Sequence, residues 1–302
     1  MATFATFFSY KGGAGRSTTC LNTLPLLAEV SGAYEYAPIL LLDMDIESAG
    51  MTYLLGMQNE FKGKFDVKEF IRGEENWPPT AVGSGIVDHP LYKHFRPVGK
   101  KLGLGDDMDD AVMFLGVDDS SDALDRSVID GAIETVLTKF RRFCTNNKVR
   151  VVVADSAAGD QFSARLSVDL ADKLIFCMRP TIQFRIGTFN YLGRMNLRAG
   201  SFGDDTDIIL LPTVVPADAE IDGVKQLAAA ANDVARKLEG LPNLRIFDDF
   251  ISEESFGINE IARFKWKEGV LYALQKQDAA ALTADEKTAF DRYRKLAQLI
   301  VD

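Results

Sequence analysis

Little in this 302-residue chain suits a secreted, membrane-embedded or metal-clustered protein. Hydrophobic residues make up 47% of it, ample for a packed core, yet no apolar run approaches the roughly 18 residues of a membrane span. The first residues also lack the basic-then-apolar order of a secretion signal, so a soluble cytoplasmic protein is expected. Only three cysteines occur, Cys20, Cys144 and Cys177, far apart and in apolar surroundings. That scarcity favours buried thiols in a reducing compartment over a disulfide or a metal cluster. The two histidines, His89 and His94, have no carboxylates or cysteines at ligand spacing and read as surface or loop residues. Basic residues are outnumbered, 34 against 44 acidic for a net charge of −10, which disfavours indiscriminate attraction to nucleic acid or an anionic membrane. There is no internal repeat and no low-complexity tract.

What the chain does have is a glycine-rich stretch, Tyr10-Lys-Gly-Gly-Ala-Gly-Arg-Ser-Thr-Thr19, between an apolar run (Phe4 to Phe8) and an amphipathic run (Leu21 to Val30). That order reads as strand, loop and helix. With Gly12, Gly13 and Gly15 in it, the loop can turn successive backbone N–H groups toward one centre, an anion nest. The helix opening near Ser17 adds its unpaired N–H groups and the positive end of its dipole, a resting place for a triphosphate. Ser17 offers a hydroxyl to a magnesium ion, and Arg16 stands where a P-loop carries lysine.

Further on, Ala37 to Asp43 and Val149 to Asp155 are apolar on both faces, as buried parallel strands are, and both end in aspartate. Asp43 and Asp45 follow the first, and Asp155 closes the second, at the strand ends where doubly wound sheets bind ligands. Asp172 to Met178, Thr206 to Pro212 and Asn243 to Phe247 supply further strands, with helical stretches at Leu124 to Cys144, Ile182 to Ala199 and Ala219 to Leu238. Thr283 to Val301 reads as a closing helix, capped by Thr283 with Glu286 three residues on. Met51 to Asp130 is the least regular part: Ala111 to Gly116 is its clear strand, Asp66 to Arg72 a short helix, and Trp77 to Thr80 extended or turned. Lys93, His94, Arg96, Lys100 and Lys101 read as a solvated basic loop. Arg263-Phe-Lys-Trp-Lys267 interleaves basic and aromatic residues, a composition that suits an ordinary exposed segment and also a grip on nucleic acid or a protein.

The loop Lys11 to Thr18 closely resembles the deviant Walker A motif K-G-G-x-G-K-[ST]-T of the ParA/MinD family of P-loop ATPases, with Arg16 in place of its lysine. Asp43-Met-Asp45 is similar to the family's D-x-D, and Asp155-Ser-Ala-Ala-Gly159 to its switch II sequence. The resemblance implies one domain over residues 1–302, with an irregular elaboration at about 57–110. Its fold would be α/β, a mostly parallel twisted sheet with helices on both faces. It further implies ATP and Mg2+ as cofactors. Gly12, Gly13, Ala14, Gly15, Arg16, Ser17, Thr18, Asp43 and Gly159 would bind the nucleotide, and Ser17 and Asp155 the metal. Lys11, Arg16 and Asp45 would be catalytic, Lys11 reaching the partner's phosphates across a nucleotide-sandwich homodimer and Asp45 positioning the attacking water. The expected function is a slow ATPase switch acting on a protein partner. Two rivals stand beside it: a partition ATPase on non-specific DNA, and a non-hydrolysing ATP-binding scaffold. No basic amphipathic tail follows Ile300, so no membrane partner is expected.

Overall fold

The apolar runs named above become the centre of one eight-stranded sheet in the computed structural model. The structure describes residues 2–33, 38–73, 89–121, 124, 126–159, 161–181, 183, 186–188, 190–192, 206–215, 229, 232, 236, 244–247, 250–252, 255–258, 280 and 282–302. The basic-aromatic segment Arg263 to Lys267, the Trp77 to Thr80 turn and most of the two stretches Ile182 to Ala199 and Ala219 to Leu238 lie outside these residues.

The chain runs through β1 (Thr3–Ser9), α1 (Arg16–Ser31), β2 (Ile39–Met44), α2 (Gly50–Leu54), α3 (Gln58–Phe61) and α4 (Val67–Arg72). There follow β3 (Arg96–Pro97), β4 (Val112–Leu115), α5 (Arg126–Asn146), β5 (Val151–Ala158), α6 (Phe162–Asp169), β6 (Lys173–Met178), β7 (Thr206–Pro212) and β8 (Leu244–Phe247). A two-stranded hairpin, β9 (Ile251–Ser252) with β10 (Ser255–Phe256), and α7 (Ala284–Val301) complete the described elements. The sheet order is β3-β4-β2-β5-β1-β6-β7-β8, parallel throughout except for the edge strand β3. β1 therefore lies between β5 and β6, and the loop that leaves its carboxyl end opens at the crevice where such sheets bind ligands.

Successive β1 residues point to opposite faces, and the packing follows. Phe7 joins the larger apolar cluster with Cys20 and Leu24 of α1 and Phe290 and Tyr293 of α7. Phe8 joins a second cluster with Ala164 and Val168 of α6, Phe176 and Leu210. Helices cover both faces, as expected. α1 differs from the amphipathic reading: it is buried on nearly every side, because α7 covers the flank that water was expected to wet. Its interior Pro25 removes one helical N–H, and Thr19, Asn22 and Thr23 fold their side chains back onto carbonyls of the preceding turn.

α7 begins at Thr283 with a reciprocal capping box to Glu286, as its sequence foretells. The short helix over 67–72 is likewise present, with Asp66 as its cap. β5 runs three residues past Asp155, because β1 continues to Ser9 and pairs with Ala158 after a register shift. All three cysteines are buried and free.

His89 is not a surface residue. It is 8% exposed, its ring lies 4.5 Å from that of Phe143 on α5, and its Nδ1 accepts the Leu91 N–H at 3.2 Å to cap a short 3-10 turn. Burial holds its pKa below the ordinary 6.5. The unfolded chain then binds a proton that the native one refuses, so this residue costs stability as pH falls through 6.5. His89→Asn, which keeps a capping acceptor, should lose less stability than the wild type between pH 7 and 5. Urea midpoints that fall in parallel for both proteins would refute this.

Candidate functional site

The loop after β1 takes the conformation its glycines allow. Gly15 has φ +72° and caps α1, and a Cβ there would sit 2.9 Å from Val214 Cγ2, so only glycine fits on both counts. Thr213, just past β7, donates its hydroxyl hydrogen bond to the Ala14 carbonyl. Tyr10 lays its ring on the bare Cα of Gly187, where a Cβ would come within 2.1 Å. The loop is thus braced from the β7 end and from the segment after β6, while Lys11, Gly12 and Gly13 face solvent. Ser17 and Thr18 are half-buried in the first turn of α1.

Arg16 turns inward. Its Nη2 lies 2.9 Å from Asp45 Oδ2, its Nε 3.1 Å from Asp155 Oδ1, and its Nη1 3.5 Å from Ser9 Oγ, which in turn donates to the Lys11 carbonyl at 3.1 Å. The guanidinium is 9% exposed and bridges two carboxylates whose side chains are 12% and 0% exposed. Burial draws the Arg16 pKa down, and the charges of Asp155 and Asp45 more than offset it, leaving the group firmly protonated. Asp155 is pushed upward by burial, with Arg16 and the Ser17 hydroxyl opposing the push. Its second oxygen, Oδ2, has no hydrogen-bond donor. An orphaned buried oxygen with the Ser17 hydroxyl beside the same carboxylate fits a divalent cation held by oxygen donors. Among the described residues no group of three acidic, histidine or cysteine side chains forms a metal cluster.

Asp43 plays a different part from Asp45. It is fully buried, registers beside Asp155 across β2 and β5, and turns toward α2, where Thr52 donates its N–H at 2.8 Å and its hydroxyl at 2.7 Å to Oδ2. Burial and the neighbouring Asp155 raise its pKa to about 8, so it holds a proton at neutral pH. Its Oδ1 accepts the Asp45 N–H at 3.3 Å, which ties it to the loop that carries Asp45 and away from the glycine loop. Gly159, at φ +73°, donates its N–H to the Ser9 carbonyl at 2.9 Å, so in this conformation that amide is spent inside the protein. The structure therefore brings Arg16, Ser17, Asp45 and Asp155 together, keeps Asp43 behind them, and leaves Lys11 exposed.

Sequence reading missed Ser9, Thr52 and Gly187. Each lies far along the chain from what it touches or shows only a common residue type, and no local pattern marks it. Thr52 also accepts the Val117 N–H at 3.0 Å, joining β4 to the Asp43 carboxyl. Thr52→Val leaves the Val117 N–H without its acceptor and Asp43 Oδ2 with the backbone donor alone, and should cost about 1–3 kcal/mol in chemical denaturation. A change under half a unit would mean that water fills the gap.

No protein family's sequence model matches the chain, and no curated protein matches it. Solved structures do. Among them is apo McdA of Cyanothece, 18% identical over 99% of this chain and 100% of that one, with a TM-score of 0.67. MinD of Aquifex aeolicus in complex with MinC is 16% identical over 98% and 96%, with a TM-score of 0.58. A protein described as a plasmid partition protein of Borrelia burgdorferi, bound to AMPPNP, is 12% identical over 99% and 98%, with a TM-score of 0.55. At these identities the likeness is one of fold.

Proposed function

We propose that the protein is an ATP-binding, slowly hydrolysing switch that forms a nucleotide-sandwich homodimer and controls or positions a protein partner in the cytoplasm. The observation that carries this reading is the convergence of Arg16, Ser17, Asp45 and Asp155 on the mouth of a glycine loop that opens α1. Solved structures of the same fold hold ATP, AMPPNP or Mg-ADP, and MinD of Aquifex aeolicus is found with a protein partner, MinC.

The amides of Gly12 to Thr18 receive the phosphates at the positive end of α1. Ser17 and Asp155 would hold a magnesium ion, which would supply charge neutralisation on the phosphate oxygens. Lys11 is exposed and free to extend toward a facing subunit. Asp45 would hold the attacking water, and in the present conformation one of its oxygens is taken by Arg16. Hydrolysis therefore requires Arg16 to exchange carboxylates for phosphate. Guanidinium binds phosphate oxygens in a fork and stays charged, so nucleotide binding is compatible with arginine. A broad, doubly tethered cation follows the shifting charge of the transition state less well than a lysine ammonium does, and a misplacement of an ångström costs about a hundredfold in rate. Turnover should be slow.

The Arg16–Asp45 pair also favours the second reading, a scaffold that binds ATP without hydrolysing it. Net charge of −10 weighs against the DNA-partition reading. The deciding measurement is ATP turnover together with mass in solution, with and without ATP and magnesium. The switch predicts turnover with a nucleotide-dependent shift from monomer to dimer, and Asp45→Ala should then prolong the dimer at least tenfold. A stable ATP dimer without turnover selects the scaffold. An unchanged mass and no bound nucleotide would remove both.

A further inference from the structure

The buried bridge from Arg16 to Asp45 and Asp155 has a consequence for the metal. We propose that Arg16 is a built-in counter-cation that keeps divalent metal off the nucleotide-free site, so that metal enters only with the nucleotide that draws the guanidinium away. This rests on the reading of Ser17 and Asp155 as the groups that hold the ion.

Electrostatics and geometry support it together. One guanidinium touches both carboxylates, through Nη2 at 2.9 Å and Nε at 3.1 Å, and a third donor faces Ser9 Oγ at 3.5 Å. A divalent ion at Asp155 Oδ2 would stand on the same carboxylate as Arg16, cation beside cation, where effective dielectric is low and repulsion is strong. Phosphate changes this balance. Its oxygens accept the guanidinium in a fork, and departure of Nε from Asp155 removes the competing cation from that carboxylate and frees Oδ1. Binding of nucleotide and binding of metal are then coupled through one side chain, and the coupling is reciprocal.

A lysine at this position would reach one carboxylate at a time as a point charge. The planar fork of arginine holds two in fixed geometry, so the exclusion is a property of this residue type and not of the loop.

The test uses manganese(II) binding to the nucleotide-free full chain, read from the electron paramagnetic resonance signal of the free ion. The wild type is compared with Arg16→Gln and with the Arg16→Gln/Asp155→Asn double variant. Arg16→Gln should bind the ion at least tenfold more tightly than the wild type, and the double variant should lose that gain. Equal binding by wild type and Arg16→Gln would overturn the proposal, as would a gain that survives Asp155→Asn. Should Arg16→Gln fail to fold, Arg16→Lys serves in its place: tighter binding than wild type supports the proposal, and equal binding overturns it. No nucleotide is present in any arm, so a wild type that fails to bind ATP would sink the functional reading without moving this result.

Discussion

The buried bridge between Arg16 and the carboxylates of Asp45 and Asp155 is the constraint around which the site is built. Three aspartates reach the carboxyl ends of β2 and β5, and two of them, Asp43 and Asp155, are neighbours across the sheet with no exposure to water. Three unscreened negative charges there would be untenable. The fold resolves the conflict with one proton and one cation. Asp43 keeps its proton at neutral pH, and Arg16 forms ion pairs with the other two. Stripping the cation from a buried pair of this kind costs roughly 3–5 kcal/mol, a large part of the 5–15 kcal/mol that holds a domain together. The arginine is therefore a structural counter-ion, and under the proposed function that role competes with phosphate binding for one side chain.

That competition separates what is rigid here from what can change. Thr213 hydrogen-bonds the Ala14 carbonyl, Val214 packs against the Cα of Gly15, and the Tyr10 ring lies on Gly187. These contacts brace the loop backbone from one side of the sheet. On the other side, the ion pairs of Arg16 are side-chain contacts that phosphate oxygens can replace on like terms. Under the proposed function, a nucleotide would meet a preformed nest of amides and a cation already turned elsewhere. The moving part would be one guanidinium.

Much of the fold was legible in the sequence, for a physical reason. Strands buried on both faces of a parallel sheet must be apolar at every position, and Ile39 to Leu42, Val151 to Ala154 and Ile208 to Leu211 show that without ambiguity. Thr283 and Glu286 announced the last helix because a capping box is a local chemical pairing. Strand order was not legible, since parallel neighbours such as β1 and β5 are set by contacts some 150 residues apart. Nor was the two-residue strand at Arg96–Pro97, too short to carry a pattern. At the site, the residue types were readable from the motif, but Arg16 lies 29 residues from Asp45 and 139 from Asp155, and nothing local says that it points at them. His89 shows the same limit: an imidazole in a polar stretch reads as surface until α5 closes over it.

Val214 carries the argument one step further. It is β-branched and sits at φ +53°, a conformation such residues almost never adopt, and it does so immediately against Gly15. Strain of this kind costs on the order of 1–3 kcal/mol and persists only where the surroundings over-determine it. Here the surroundings are identifiable: Thr213 is pinned to Ala14 on one side, and Val215 pairs its N–H with the Ile258 carbonyl at 3.0 Å on the other. The strained residue is held between two fixed neighbours so that its side chain closes on the one loop position that has no Cβ. Relaxing Val214 would loosen the turn that aims the α1 amides, so the fold sustains a strained residue on the rigid side of the nest and leaves the adjustable interactions to Arg16.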